Sequence, residues 1–423
     1  TQEYVSRAFH AAMNGEPGPV VLALPRDVLA APAGAGDAAR CEPAELSPGA
    51  PEMATLQALL DKASAPIAIL GGGRWDEAAR AAFARFAERF DLPVATGYRR
   101  LPLFDALHRN YAGDLGLGVN PALAARAKGA DLVLSVGGRL SEVTTQGYGL
   151  FEIPTPTQTL VQVYPGPDEF GRVWRPQLAI AATPSRFCSA LEALTPPAKP
   201  RWAGSAAAAH ADYLAWSEAP TPQPGPVNLA EIMIRLRETL PADAILCNGA
   251  GNYTAWIHRF FRVRGFASHF APNSGSMGYG VPAAVAMQRL FPGRCVVSVN
   301  GDGDFLMNGQ EFATAVQYGL PIVVLVLDNA SLGTIRMHQE RDYPGRVFAT
   351  DLKNPDFAAY ARAFGGFGAT VERTEDFSAA FEAAVASNLP SIVHVKFDAD
   401  GITPSQTLSA IRADALARRS KRA

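Results

Sequence analysis

Short apolar runs that end in glycine and lead into helix-period segments recur along this chain, and that alternation leaves few folds open to it. "APIAILGGGRW" (65–75), "LPVATGY" (92–98), "ADLVLSVGGRL" (130–140) and "QTLVQVYP" (158–165) are too short for buried helices and rich in aliphatic residues. Between the first two, Ala79, Phe83, Phe86 and Phe90 fall on one side of a helix. The pattern restarts after residue 226 with "AILCN", "CVVSVN", "PIVVLVLDN" and "PSIVHVKFD". Strands alternating with helices predict an α/β fold of doubly wound parallel sheets in two complete domains. Such sheets bind ligands beyond the carboxyl ends of their strands. Gly71-Gly72-Gly73 and Gly137-Gly138 stand at such ends, yet no complete GxGxxG accompanies them, so they read as turns and a dehydrogenase is a remote alternative.

Breaks in composition set the predicted boundaries. Residues 30 to 52 are rich in Ala, Pro and Gly, and 196 to 226 carry prolines at both ends around a short helical middle. These linkers divide the chain into 1–30, a central Rossmann-like domain over 50–197, a third domain over 226–405 and a tail over 406–423. At the start, Val5, Ala8, Phe9, Ala12 and Met13 have helical spacing, and "PVVLALP" reads as a buried strand. One helix and one strand cannot enclose a core, so this pair is expected to close a domain whose body lies upstream.

A formal charge of −2 and 18% charged residues argue against a nucleic-acid or anionic-membrane surface. Cys41, Cys188, Cys247 and Cys295 lie far apart, form no CxxC and read as thiols of a reducing compartment. No run approaches a membrane span, so a cytoplasmic location is expected.

The segment "VSVNGDGDFLMNGQEFATAVQYGLPIVVLVLDNAS" (297–331) carries the chemistry. Asp302 sits in a Gly-Asp-Gly turn after one apolar run, and Asn329, 27 positions on, ends the next. A single crossover brings both to the same sheet edge. A carboxylate oxygen, an amide oxygen and a nearby main-chain carbonyl offer three hard ligands, and magnesium completes such a set with phosphate oxygens and water. Gly303, Gly333 and the start of a helix expected after Asn308 would offer N–H groups to the phosphates.

GDG, one crossover and an Asn-containing turn together resemble the diphosphate-binding motif of thiamine diphosphate (ThDP) enzymes. The likeness extends to "NSGSMGYGVPAAVAM", "GDGDFLMNGQEFATAVQYGLPIVVLVLDNASLGTI" and "RAFHAAMNGEPGPVVLALPRDV", which look like the acetolactate synthase large (catalytic) subunit and related 2-oxo acid decarboxylases and carboligases. The resemblance implies that residues 1–30 end a pyrimidine-binding domain and that 226–405 form the diphosphate-binding domain. It implies ThDP and Mg²⁺ as cofactors, with Asp302, Asn329 and the carbonyl of Ser331 on the metal. Gly303 and Asp304 would turn amides to the diphosphate. Gly251, Asn252 and Tyr253 would touch the same group, with Leu332, Gly333 and Thr334 closing the other side. The Gly275 carbonyl would accept from the aminopyrimidine, and Met277 would wedge between the cofactor's rings, although flexible core filling is the commoner use of Met.

Further implications are a 2-oxo acid such as pyruvate as substrate, transfer of its two-carbon unit to an acceptor, and a homodimer or homotetramer with active sites at subunit interfaces. The glutamate that activates the cofactor would lie in the upstream domain. His338 is the candidate for proton transfer or carboxylate contact, with Arg336 and Gln339 on the same helix. Glu311 would support the diphosphate helix, and His258 and His269 receive no role.

Four departures are visible. Asp328 stands where an Asn is common, Asp304 adds negative charge beside a diphosphate, and "IRMHQERDYPGRV" lacks the usual Trp. Val163-Tyr164-Pro165-Gly166 replaces the acidic strand end of flavin-binding members, which speaks against FAD. A simple 2-oxo acid decarboxylase or C–C lyase is the near alternative, and a noncatalytic ThDP- or nucleotide-binding protein is the alternative of another class.

Overall fold

The computed structural model describes residues 2–34, 36 and 39–421, which form two compact units. The first comprises Thr1–Gly97 and Ala125–Ala207, the second Tyr98–Ala124 and Ala208–Ala423. Sequence had placed 98–124 in the central domain. Its bonds explain the difference: the Arg99 side chain reaches the carbonyls of Pro272 and Gly249, and Ala106 N–H donates to Val263 O.

In the first unit, β1 (Pro66–Leu70), β2 (Val94–Gly97), β4 (Leu132–Val136), β5 (Thr159–Tyr164) and β6 (Leu178–Ala181) pair in parallel in the order β2-β1-β4-β5-β6; β3 (Tyr111–Leu115) belongs to the second unit. The helix Glu77–Phe90 is capped by Asp76, whose side chain accepts from Ala79 N–H. It buries Phe83, Phe86 and Phe90, as the spacing predicts. The strand-end glycines pack on each other: a Cβ on Gly72 would lie 1.5 Å from the Gly137 carbonyl oxygen. Close backbone packing accounts for them without a ligand.

The N-terminal reading is met in part. Gln2–Met13 is a helix, but it buries no residue, and the segment 19–25 forms no strand; Val21 is 92% exposed. A strand exists only by pairing with a neighbour, and none lies beside this segment among the described residues.

The second unit holds β7 (Ile245–Asn248), β8 (His269–Phe270), β9 (Val296–Gly301), β10 (Val323–Asp328), β11 (Phe367–Val371) and β12 (Ser391–Lys396), all parallel, in the order β11-β12-β10-β9-β7-β8. Successive side chains of a strand point to opposite faces, and this sheet shows it directly. Val297, Val299, Leu325 and Leu327 join one core with Ile232, Met233, Trp256 and Phe381. Val296, Val324 and Val326 join a second core with Val281, Phe305, Phe312 and Phe357. Helices therefore cover both faces. The strand order reverses between β7 and β9, the place where an open parallel sheet forms its ligand crevice.

Candidate active site

A cavity of about 440 Å³ opens at that crevice, and its wall consists of residues of the second unit alone. The turn after β7 contributes Gly251, Asn252 and Tyr253, and the turn after β9 contributes Asp302, Gly303 and Asp304. The turn after β10 brings Asn329, Ser331, Leu332, Gly333 and Thr334, and Gly275, Met277 and His338 complete the predicted set. Every predicted site residue thus lines one cavity, as the crossover argument requires.

Asp302 is the electrostatic centre. It is 3% exposed; its Oδ1 accepts from Gly303 N–H at 2.8 Å, and its Oδ2 accepts from Asn354 Nδ2 at 2.7 Å and from Ser331 N–H at 3.2 Å. The last bond folds the turn bearing Asn329 and the Ser331 carbonyl against this carboxylate. Asn354 also donates to Asp328 at 2.7 Å, so one amide spans the buried Asp302 carboxylate and the half-buried Asp328 carboxylate. Burial first, and the neighbouring Asp328 charge second among the opposing influences, push Asp302 up to about 6. Burial acts upward on Asp328 as well, but the bond to His394 at 2.8 Å, the Ala330 N–H and Asn354 outweigh it and hold Asp328 at about 2. A carboxylate held out of water without a cation is unfavourable. The donor set therefore fits a hard divalent ion, for which Asp302, Asn329 and Ser331 supply oxygens. Among the described residues no three His, Cys, Asp or Glu side chains gather around a metal position, so the amide and carbonyl oxygens are needed.

Asp304 answers the charge problem seen in the sequence. Its side chain is buried and accepts from Tyr253 Oη at 2.9 Å, Gly278 N–H at 2.8 Å and Ala250 N–H at 3.2 Å. It ties the post-β7 turn and the Gly275–Gly278 loop to the start of the helix Asp302–Asn308. Burial raises its pKa, and those three donors oppose the rise. The close approach needs glycine at two points: a Cβ on Gly249 would lie 2.0 Å from Asp304 Oδ1, and Gly278 has φ +82°.

Several expectations change in detail. The helical segments expected after Asn308 are present as Gly309–Glu311 and Phe312–Gln317, but a further helix, Asp302–Asn308, already starts at Asp302, because Gly301 has the extended backbone of an N-cap. The Gly333 N–H is turned onto Ser331 O at 2.8 Å and Leu332 N–H onto Thr350 O at 2.8 Å, so neither amide is free for phosphate. Thr334 Oγ1 accepts from Asn252 N–H at 2.9 Å and donates to Asn252 Oδ1 at 3.1 Å, closing the wall across the cavity. Glu311 accepts from Thr314 Oγ1 at 2.8 Å and makes no side-chain bond to the helix Asp302–Asn308 among the described residues. Met277 is 37% exposed at the cavity wall and does not fill a core. His258 bonds Asp114, and His269 bonds Asn248 at 2.8 Å; burial drives His269 down to about 3, which keeps it neutral.

Sequence reasoning missed Asn354, Asp328–His394 and Arg99. The first lies in "DLKNPDF", a polar turn with no distinguishing spacing, and Arg99 lies in "GYRRLP", where a doubled arginine after a buried strand was the available signal. The Tyr253 hydroxyl, expected at the diphosphate, is instead engaged by Asp304. Tyr253→Phe is expected to cost the ligand-free protein about 1–2 kcal/mol by leaving a buried carboxylate short of one donor. Urea unfolding of both forms measures it, and equal midpoints would contradict the staple role.

Comparison with known proteins matches two stretches of the chain, the first of which keeps 98–124 with the central domain. Residues 53–191 match the central domain of the thiamine pyrophosphate enzymes, and 249–395 match their C-terminal TPP binding domain. The acetolactate synthase large subunit of Parasynechococcus marenigrum is 30% identical over 406 residues, covering 92% of this chain and 64% of that protein. The acetolactate synthase isozyme 2 large subunit of Escherichia coli is 28% identical over 405 residues, covering 93% and 71%. A putative thiamine pyrophosphate-containing protein of Bacillus subtilis, YdaP, is 27% identical over 356 residues, covering 83% and 60%. The chain thus spans between 60% and 71% of the length of these relatives.

Proposed function

Because the chain belongs to the thiamine pyrophosphate enzymes, carrying their central and C-terminal TPP-binding domains, we propose that it serves a ThDP- and Mg²⁺-dependent reaction in which a 2-oxo acid is decarboxylated and its two-carbon unit passed to an acceptor, as in acetolactate synthases. The observation that carries this reading is the meeting of the Asp302 carboxylate, Asn329 and Ser331 in the cavity that also holds Gly275 and Met277. Asp302, Asn329 and the Ser331 carbonyl hold the metal. Gly251, Asn252, Gly303 and Asp304 border the diphosphate, while Leu332, Gly333 and Thr334 close the wall. When bound, ThDP would supply a carbon nucleophile and an electron sink for decarboxylation of a 2-oxo acid. Met277 would contact the rings of the bound cofactor, and Gly275 O would accept from its amino group. His338, exposed at the cavity wall, meets the substrate end. In the working protein the cofactor lies between two subunits of a homodimer or homotetramer, located in the cytoplasm.

Met277→Ala is expected to slow exchange of the cofactor C2 proton about tenfold while changing ThDP affinity less than about threefold, since it alters geometry more than contact area. Proton exchange followed by NMR checks this, and a wild-type rate would remove the wedge role. The reading as a whole is tested by product analysis of the full-length protein given pyruvate. Acetolactate supports the carboligase, acetaldehyde alone indicates the simple decarboxylase, and ThDP binding without turnover moves the substrate to another 2-oxo acid.

A further inference from the structure

Arg99 brings a buried positive charge to the cavity wall. Among the described residues that line it, Arg99 is the sole Lys or Arg, while Asp302 and Asp304 are both present. Arg99 is 3% exposed, and its backbone is held at φ +57°, a region that residues with long side chains seldom adopt. Nη1 donates to the Pro272 carbonyl and Nη2 to the Gly249 carbonyl at 3.2 Å; Nε is buried and has no partner. Two neutral carbonyls hold the guanidinium in place, and the Asp304 charge acts on it without a direct ion pair. No carboxylate lies within ion-pair distance of it among the described residues, and both oxygens of nearby Asp304 already accept from Tyr253, Gly278 and Ala250.

A desolvated guanidinium with spare N–H groups is a planar fork matched to a carboxylate or phosphate. Both anion classes enter this cavity if the proposed function holds. The diphosphate's charge is met by the divalent ion at the ends of β9 and β10, through Asp302, Asn329 and Ser331. Arg99 is anchored elsewhere, on the carbonyl that follows β7 and on Pro272, at the entry to the loop bearing Gly275 and Met277. That loop serves the reacting rings.

We propose that Arg99 binds the carboxylate of the 2-oxo acid substrate and holds it for decarboxylation, an inference that rests on the reading above. The guanidinium accepts no proton and forms no covalent bond. It fixes the carboxylate in place until CO₂ leaves.

The test uses the full-length protein with ThDP and Mg²⁺, comparing wild type with Arg99→Gln and Arg99→Lys by calorimetry. The probe is methyl acetylphosphonate, a singly charged mimic of pyruvate that cannot lose CO₂. ThDP affinity is expected to stay within about twofold in both variants, while the probe binds at least about 30-fold more weakly to Arg99→Gln and about tenfold more weakly to Arg99→Lys, whose ammonium cannot form the planar fork. An unchanged probe affinity in Arg99→Gln overturns the proposal. An equal loss of ThDP affinity also overturns it, because the anion would then be the diphosphate. If circular dichroism shows Arg99→Gln unfolded, the Lys variant decides, and wild-type probe affinity there is the contrary result. Failure of the wild type to bind ThDP refutes the proposed function itself, and ThDP binding without probe binding refutes the small 2-oxo acid.

Discussion

Asp302→Asn abolishes Mg²⁺-dependent ThDP binding, raising the dissociation constant at least about 100-fold, because it removes the one anionic ligand of a three-oxygen set. The same substitution leaves the ligand-free protein equally stable or more so at pH 7.5. The sign follows from linkage: a folded-state pKa of about 6 against an ordinary 3.8 means that the ionised side chain opposes folding above pH 6, and that this penalty fades as pH falls towards 4. Asparagine removes the penalty, and although its single acceptor oxygen can serve only Gly303 or else Ser331 and Asn354, the loss of the buried charge offsets the missing bond. Loss of binding with no loss of thermal stability separates a ligand from a structural residue. Calorimetric titration and a melting curve measure the two, and a variant that still bound ThDP with Mg²⁺ as tightly as wild type would remove Asp302 from the metal.

Glu340→Gln is expected to loosen the C-terminal helix. Glu340 is fully buried and accepts from Arg412 Nε at 2.8 Å and Nη2 at 2.5 Å, from Arg336 Nε at 3.2 Å and from Gly345 N–H at 2.8 Å. The Arg412 bonds first, with Gly345 and Arg336, draw its pKa down to about 2 against the upward pull of burial. They clamp the helix Leu408–Ser420 to Gly333–Asp342, above a small core of Ile402, Leu408 and Ile411 with Met337 packed against it. Breaking a buried ion pair costs roughly 3–5 kcal/mol; Arg412 is 39% exposed, so about 2 kcal/mol is expected here. Thr334, Met337 and His338 ride on the same helix, so ThDP affinity falls as well. The lowered pKa means that this stabilisation is full above pH 4.5 and is lost as pH falls towards 2, so Glu340→Gln flattens the acid limb of stability. Urea unfolding across that range checks it, and identical wild-type and variant profiles would rule out the clamp.

What could be read from sequence follows from how each feature is encoded. β1, β4, β7, β9, β10 and β12 are aliphatic-rich runs buried over nearly their whole length, and such runs announce themselves. Four strands were not foreseen: β3 is the mixed run Tyr-Ala-Gly-Asp-Leu, and of the other three β8 spans two residues, β11 begins Phe367-Gly368-Ala369, and β6 alternates buried with exposed positions. All three lie at or beside a sheet edge or ladder end, where pairing and not composition makes the strand. Part of the cavity wall was legible because its residues follow strands directly: one crossover brought Asp302 and Asn329 together, while Gly251, Gly275 and Met277 were placed by the family resemblance. The residues that hold those groups were not. Asn354 reaches Asp302 from 52 positions away, and Glu340 meets Arg412 across 72. Side-chain bonds of that span carry no periodicity, and Arg99 differs from any other arginine only in where the chain buries it. The expected strand at 19–25 failed for the converse reason: its composition suits a strand, but it has no partner among the described residues.

The central claim is that the cavity beyond β7, β9 and β10 takes ThDP through a divalent ion held at Asp302. The most direct test is a calorimetric titration of the 423-residue chain with ThDP, with and without Mg²⁺. Saturable one-to-one binding that requires Mg²⁺ and vanishes in Asp302→Asn is the predicted result; binding of equal strength without Mg²⁺ would contradict the metal site, and no binding by this chain or by the full-length protein would contradict the claim altogether.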